Sequence, residues 1–241
     1  MVNSMEKRIK DVEAVIFDLD ETLIDAKKGL SAAQRAVSKK IIKYFQEEIA
    51  LTEEEMTEKL SDFDDEMNRK TLYERDQWWP KFLKRLGIRK KPSQLQIEDL
   101  TDTYWKRYAQ AANLYPGVKS TLKYLKDRGI KLGIITDTDG SKIPKRERIR
   151  PLEIFDLIDG IIIAGKETPE PKPHPEGYKK LISKLGSDAK NTVMVGDKPF
   201  TDIKGANSLG ITTVLVNRRD WDSMEKPDYT VNSIAELKNL I

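Results

Sequence analysis

A single short apolar run, Val15-Ile16-Phe17, meets Asp18 and Asp20 and turns at Glu21-Thr22, and no second run of its kind follows until Ile130. Such a run reads as a buried strand ending in a polar loop. Between about residues 27 and 113 the pattern is helical instead. Leu30, Ala33, Val37, Ile41, Phe45 and Ile49 recur at spacings of three and four and so share one helix face. Thr52-x-x-Glu55 reads as a capping box for a second helix carrying Met56, Leu60, Phe63 and Met67. A third helix contains Trp78, Trp79, Phe82, Leu83 and Leu86 and stops at Gly87. A fourth opens at Ser93-x-x-Gln96 and carries Ile97, Leu100, Tyr104 and Tyr108. After Pro116-Gly117 the rhythm becomes helix then strand, with apolar runs at Ile130 to Ile135, Gly160 to Ala164, Asn191 to Val195 and Ile211 to Val216. Alternation of this kind implies parallel strands joined by right-handed crossovers.

The fold class expected is therefore α/β: a three-layer, Rossmann-like parallel sheet core with an inserted all-helical cap domain. The core comprises residues 1–24 and 114–241, the cap residues 25–113. The 241 residues suffice for two modest domains, and 38% hydrophobic content suffices for a core.

Composition removes several chemistries. Cys is absent and His occurs once, which excludes disulfides, thiol catalysis, iron–sulfur clusters and Cys/His zinc sites. Lys and Arg total 43 against 40 acidic residues. That balance argues against a nucleic-acid binder, whose charge would be one-signed and clustered. No apolar run is long enough to cross a bilayer, and the N-terminus lacks an apolar h-region. The expectation is a soluble, cytoplasmic protein, without membrane or nucleic-acid partners, present as a monomer or weak homodimer. Lys/Glu richness without Cys also fits a thermophile's surface chemistry.

In open α/β sheets, ligands sit beyond the carboxyl ends of the strands. The residues there are Asp18 and Asp20 after the first strand, Thr136 and Asp137 after the second, Lys172 in a Pro-rich loop, and Asp197 and Asp202 in Gly196-Asp197-Lys198-Pro199-Phe200-Thr201-Asp202. Two carboxylates about 4 Å apart repel by roughly 4 kcal/mol at an effective dielectric of 20, so such a cluster requires a cation or protonation. Oxygen-only ligands favour Mg²⁺. Asp18 and Asp20 point the same way from an extended segment, so one can attack phosphorus while the other handles the proton. The Thr136 hydroxyl and Lys172 ammonium suit the oxygens of a transferring phosphoryl group.

Asp18-Leu19-Asp20-Glu21-Thr22, Thr136 after an apolar strand, Lys172-Pro173, and Gly196-Asp197 followed by Asp202 together resemble the four motifs of the haloacid dehalogenase superfamily, in its phosphatase branch. Order and spacing match across essentially the whole chain. The resemblance implies that Asp18 is the nucleophile and Asp20 the general acid/base. It implies Mg²⁺ held by the Asp18 carboxylate, the Asp20 backbone carbonyl and Asp197, with Asp202 supporting the metal or its waters. Thr136, Asp137 and Lys172 are then the phosphate-binding residues, and the helical insertion resembles a cap of the type placed at that point in the family. Two positions depart from the common pattern: Asp137 stands where many relatives have Asn, and Lys172-Pro173-His174-Pro175 replaces Lys-Pro-Asp-Pro.

Other residues read structurally. His174 is a loop or helix-start residue beside Pro175. Tyr73, Trp78, Trp79, Tyr104, Trp105 and Tyr108 are mostly cap core. Pro144 to Arg150 is the best basic patch the sequence offers, read as a solvated helix face. Lys166 competes with Lys172 for the phosphate-binding role, and the proline after Lys172 favours the latter.

The expected function is a Mg²⁺-dependent phosphatase that hydrolyses a small phosphorylated metabolite through an aspartyl-phosphate. A phosphosugar mutase on the same site is the alternative. Phosphonate hydrolysis, dehalogenation and a non-catalytic binding role rank lower: by family resemblance a dehalogenase lacks the second aspartate, and a binding module has no use for Asp20.

Overall fold

A computed structural model describes residues 8–70, 72–139 and 145–241. The chain divides into two compact units. One holds residues up to Asp25, Leu114–Thr138 and Arg146–Ile241; the other holds Ala26–Asn113 together with Asp139 and Lys145. In chain order, strand β1 (Ala14–Phe17) and the short β2 (Ile24–Asp25) precede helices α1 (Ala26–Tyr44), α2 (Glu53–Arg69), α3 (Arg75–Arg85) and α4 (Gln94–Ala111). The short β3 (Asn113–Leu114) leads to α5 (Val118–Asp127), β4 (Lys131–Asp137), α6 (Lys145–Ile149), β5 (Gly160–Ala164), α7 (Glu176–Leu185) and β6 (Thr192–Gly196). Then come α8 (Lys204–Asn207), β7 (Thr212–Val216), β8 (Tyr229–Val231) and α9 (Leu237–Leu240).

The first unit is built on a six-stranded, wholly parallel sheet in the order β5-β4-β1-β6-β7-β8. Every residue of β1, β5 and β6 is buried, as a parallel sheet covered on both faces requires. On one face Ile16, Ile135, Ile162 and Met194 pack with Tyr178, Leu181 and Leu185 of α7. Phe17 pairs with Ile134 on one side and Val195 on the other. That register opens the loops after β1, β4 and β6 at one sheet edge. The chain works outward from β1 through β4 to β5, then crosses back to β6, so the strand order reverses between β1 and β6. Ligands of such sheets bind where that reversal occurs.

Three local readings differ from the sequence pattern. The face of α1 does not run on to Ile49: the helix ends at Tyr44, and Glu48 in the following turn accepts the backbone N–H groups of Arg89 and Lys90. The capping box at Thr52 then fixes the start of α2, leaving the intervening residues as a connector. The connection from β6 to β7 is only a π-helical turn, Pro199–Ile203, followed by the one-turn α8, shorter than the expected amphipathic segment. Tyr-Thr-Val of β8, too short to stand out, joins the sheet edge beside β7.

The second unit is built on the four helices α1 to α4. Both expected capping boxes form, at Thr52 and Ser93. Trp78, Trp79, Tyr104, Trp105 and Tyr108 are buried, with edge-on contacts at Phe63–Trp78, Tyr104–Trp105 and Trp105–Tyr108. Gly29 lets α1 lie close against α4, since a Cβ there would stand 2.7 Å from the Tyr108 ring. The unit also buries a charged group: Asp64 is 1% and Arg75 3% exposed. Asp64 Oδ2 accepts hydrogen bonds from Tyr104 (2.5 Å) and Gln34 (3.2 Å), and Oδ1 accepts one from Asn68 at 2.6 Å. Arg75 Nη2 lies 3.6 Å from Oδ1, and the guanidinium is stacked 3.5 Å from the Trp78 ring centre.

Candidate active site

Strand β1 delivers Asp18 to the strand-order reversal, where its N–H donates to the Val195 carbonyl at 2.9 Å. The following residues close into a tight loop: the N–H groups of Leu23 and Ile24 both donate to the Leu19 carbonyl, and Glu21 N–H donates to the Ile24 carbonyl. Glu21 adopts φ 66°, a left-handed conformation that non-glycine residues reach only when surrounding bonds impose it. Asp20, half-buried, forms a β-bridge to Ile24 within this loop.

Strand β6 delivers Asp197, fully buried, and the π-helical turn folds Asp202 back over the end of the strand. Asp202 Oδ2 accepts the Lys198 N–H at 3.0 Å. Gly196 makes the fold-back feasible, because a Cβ there would overlap the Asp202 carboxylate. The result is a convergence of Asp18, Asp197 and Asp202, each offering a carboxylate oxygen within 4.8 Å of the others.

Lys172 is 2% exposed and reaches across the sheet edge into this cluster. Its ammonium donates to Asp18 Oδ1 at 2.6 Å and to Asp202 Oδ1 at 2.7 Å. Lys166 is exposed and outside the cluster. Burial alone would lower the Lys172 pKa, but Asp18, Asp202 and Asp137 outweigh it and hold the ammonium protonated well above the ordinary lysine range. Burial pushes the carboxyls of Asp18, Asp137 and Asp197 upward, Asp197 well above its ordinary value, against the opposing pull of Lys172 and Lys198.

Thr136 is buried near the end of β4. Asp137 Oδ1 accepts the backbone N–H of Lys172 at 2.7 Å, fixing the loop that presents the lysine. His174 is half-buried in that loop, its N–H bonded to the Pro171 carbonyl and its Nδ1 3.4 Å from the Glu176 nitrogen, consistent with a helix-start role.

Other side chains position the site. Trp221 Nε1 donates to the Asp197 carbonyl at 2.7 Å, with the indole edge-on to Phe200. Tyr178 of α7 donates to the Thr201 carbonyl at 3.0 Å, tying the π-helical turn to the core. Arg218 Nε donates to the Glu21 carbonyl at 3.0 Å while the guanidinium stacks 3.7 Å from the Tyr115 ring centre. Arg218 and Trp221 follow β7, so their position just past the carboxyl end of a strand is the signal the sequence carries for them.

A divalent cation fits this geometry. Asp18 Oδ2 and both carboxylate oxygens of Asp197 are buried without a hydrogen-bond partner among the described residues. Buried carboxylate oxygens left unpaired are costly, and an all-oxygen donor set matches a hard cation such as Mg²⁺.

The family profile described as "Haloacid dehalogenase-like hydrolase" matches residues 15–216. A glyceraldehyde 3-phosphate phosphatase of Methanocaldococcus jannaschii is 30% identical over 241 residues, covering 95% of this chain and 97% of its own. A ribulose-1,5-bisphosphate 5-phosphatase of Halopiger xanaduensis is 31% identical over 59% of this chain and 62% of its own. Among solved structures, an HAD phosphatase from Thermococcus onnurineus superposes with a TM-score of 0.69 at 27% identity, covering 95% of this chain and 97% of its own.

Proposed function

The chain belongs to the haloacid dehalogenase-like hydrolases, and from that premise we propose that it is a Mg²⁺-dependent phosphatase that hydrolyses a small phosphorylated metabolite. The observation that carries this reading is the excess of buried carboxylate around one lysine, with three oxygens left unpaired on Asp18 and Asp197. A purely structural ion pair would leave none. Asp18, Asp197 and the Asp20 carbonyl would hold the cation, with Asp202 supporting it; when bound, it offsets the negative charge between nucleophile and phosphate.

The covalent steps belong to the chain's own residues. An Asp18 carboxylate oxygen attacks phosphorus, the bond to the ester oxygen breaks, and that oxygen leaves with a proton from the Asp20 carboxyl. The resulting aspartyl-phosphate is hydrolysed when Asp20, now a carboxylate, takes a proton from the attacking water. Inorganic phosphate departs and Asp18 is restored. Lys172 remains protonated throughout and orients Asp18 by its 2.6 Å bond, while with Thr136 it stabilises the phosphoryl oxygens. Asp137 acts through Lys172, by fixing its backbone, rather than by touching the substrate.

The substrate class we infer is a phosphorylated compound of triose to pentose size, supported by the names of the Methanocaldococcus and Halopiger relatives. The test is turnover of p-nitrophenyl phosphate with and without Mg²⁺, followed by a screen of sugar phosphates. Chelator should abolish activity, and phosphate label trapped on denaturation should be released by hydroxylamine. Chelator-indifferent turnover, or label on a serine or threonine, would overturn the mechanism.

A further inference from the structure

The loop that carries Asp20 holds a non-glycine residue, Glu21, at φ 66°. L side chains avoid this left-handed region because Cβ crowds the carbonyl oxygen that follows, and a residue stays there only where surrounding bonds over-determine it. Glu21 is buried and is held through its N–H, its carbonyl and its carboxylate. The N–H donates to the Ile24 carbonyl at 2.9 Å, the carbonyl accepts from Arg218 Nε at 3.0 Å, and Oε2 accepts from the Tyr115 hydroxyl at 3.1 Å.

Arg218 and Tyr115 are themselves anchored. Asn217, next to Arg218, donates its N–H to the Val231 carbonyl at 2.8 Å, which ties this segment to the β7–β8 edge. The Tyr115 N–H donates to the Leu23 carbonyl at 2.9 Å. The Arg218 guanidinium lies 3.7 Å from the Tyr115 ring centre, a cation–π contact between two half-buried side chains. The pair is thus fixed to the sheet, to the loop and to each other.

The consequence falls on Asp20. The Glu21 N–H and the Asp20 carbonyl belong to one planar peptide and point opposite ways. The φ angle of Glu21 sets that plane, and relaxation to an ordinary negative φ would turn it by roughly 120°. The Asp20 carbonyl would turn with it, and so would the backbone from which the Asp20 carboxyl projects.

We propose that Arg218 and Tyr115 are positioning residues for the phosphatase reaction: they clamp Glu21 in its left-handed conformation and so hold Asp20 for proton transfer. The inference rests on the reading of Asp20 as general acid/base. It gives the clamp a kinetic signature, because only a poor leaving group needs the Asp20 proton.

The test compares kcat/KM, which reports formation of the aspartyl-phosphate, for glycerol 2-phosphate and for p-nitrophenyl phosphate at saturating Mg²⁺. Arg218→Gln should lower the first about tenfold more than the second, since a small misplacement of the acid is enough. Tyr115→Phe keeps the ring under the guanidinium and drops the bond to Glu21, so it should show the same bias at about threefold, and it carries the test if Arg218→Gln does not fold. In an Asp20→Asn background, Arg218→Gln should add no further bias between the two substrates. Glu21→Gly should recover part of the bias lost in Arg218→Gln, because glycine adopts a positive φ without steric cost. In the metal-free protein with EDTA, Arg218→Gln should speed amide hydrogen exchange at Leu23 and Ile24 while leaving Val15 to Phe17 as in wild type.

Equal loss on both substrates, a further bias in the Asp20→Asn background, or unaltered exchange at Leu23 and Ile24 would overturn the proposal. Wild-type enzyme without Mg²⁺-dependent turnover would overturn the phosphatase reading instead, and the exchange measurement would still decide whether the clamp holds the loop.

Discussion

The two units each bury a charged cluster, and the clusters are resolved in opposite ways. In the helical unit one carboxylate, Asp64, meets one guanidinium, and both its oxygens accept hydrogen bonds from Gln34, Asn68 and Tyr104. In the sheet unit Asp18, Asp197 and Asp202 converge on one ammonium, Lys172, and oxygens of Asp18 and Asp197 remain unpaired. In the first arrangement both carboxylate oxygens are satisfied by the protein alone, and among the described residues the one buried atom of the pair left without a hydrogen-bond partner is Nε of the cation, Arg75. On the proposed function a cation would balance the second, an arrangement that gives up stability in exchange for reactivity.

Exchanging one carboxylate in each unit should separate these roles. Asp18→Asn should lower kcat for p-nitrophenyl phosphate by about 10⁴-fold or more, the order seen when a covalent nucleophile is removed, with the melting temperature little changed or raised. Asp64→Ala should do the reverse. Leaving Arg75 buried without its partner should cost about 3–5 kcal/mol in denaturant unfolding, while the Mg²⁺ dependence of whatever enzyme stays folded is unaltered.

The metal gives the next-largest effect. Mg²⁺ at a hundredfold excess over its Kd should stabilise the wild type by about 2.7 kcal/mol. Asp197→Asn should abolish that gain yet make the metal-free protein more stable, by about 1 kcal/mol, because one repelling charge is gone. If Asp197→Asn destabilises the metal-free protein instead, the sheet cluster is as saturated as the helical one and the contrast fails.

Trp221→Phe keeps an aromatic ring but removes the hydrogen bond to the Asp197 carbonyl, and should weaken Mg²⁺ binding by about tenfold, measured by calorimetry, with less effect on kcat at saturating metal. The smallest effect belongs to the surface. Hydrogen bonds from Arg85 and Lys70 hold the Glu66 carboxyl at about 2. A depressed carboxylate pKa stabilises above the usual carboxylate range, and that contribution fades as pH falls toward 2. Glu66 is solvent-exposed, so Glu66→Gln should shift the acid-unfolding midpoint only slightly, and less still in high salt.

Local signals made much of this legible beforehand. The capping boxes at Thr52 and Ser93, the apolar runs of the sheet and the polar residues beyond them are features of near neighbours in the chain, and all appear where their spacing places them. What escaped depends on distant neighbours. The Asp137 side chain is exchanged to the Lys172 backbone thirty-five residues away, and Arg75 finds Asp64 only once two helices are packed. In the contiguous basic run near residue 145, Arg146 is occupied with Glu167 and the Ile161 carbonyl, contacts that depend on residues far along the chain. Pro144 of that run lies outside the described residues.

The position of β1 also has a meaning in time. It is paired along both edges and buried on both faces, so its amides can exchange with solvent only when the sheet itself opens. Asp18, bonded through its own N–H to β6, is anchored between two central strands of the unit. The carboxylate proposed as nucleophile is therefore carried on backbone that opens only with the sheet. On that proposal, substrate and water would come and go many times while the nucleophile keeps its place.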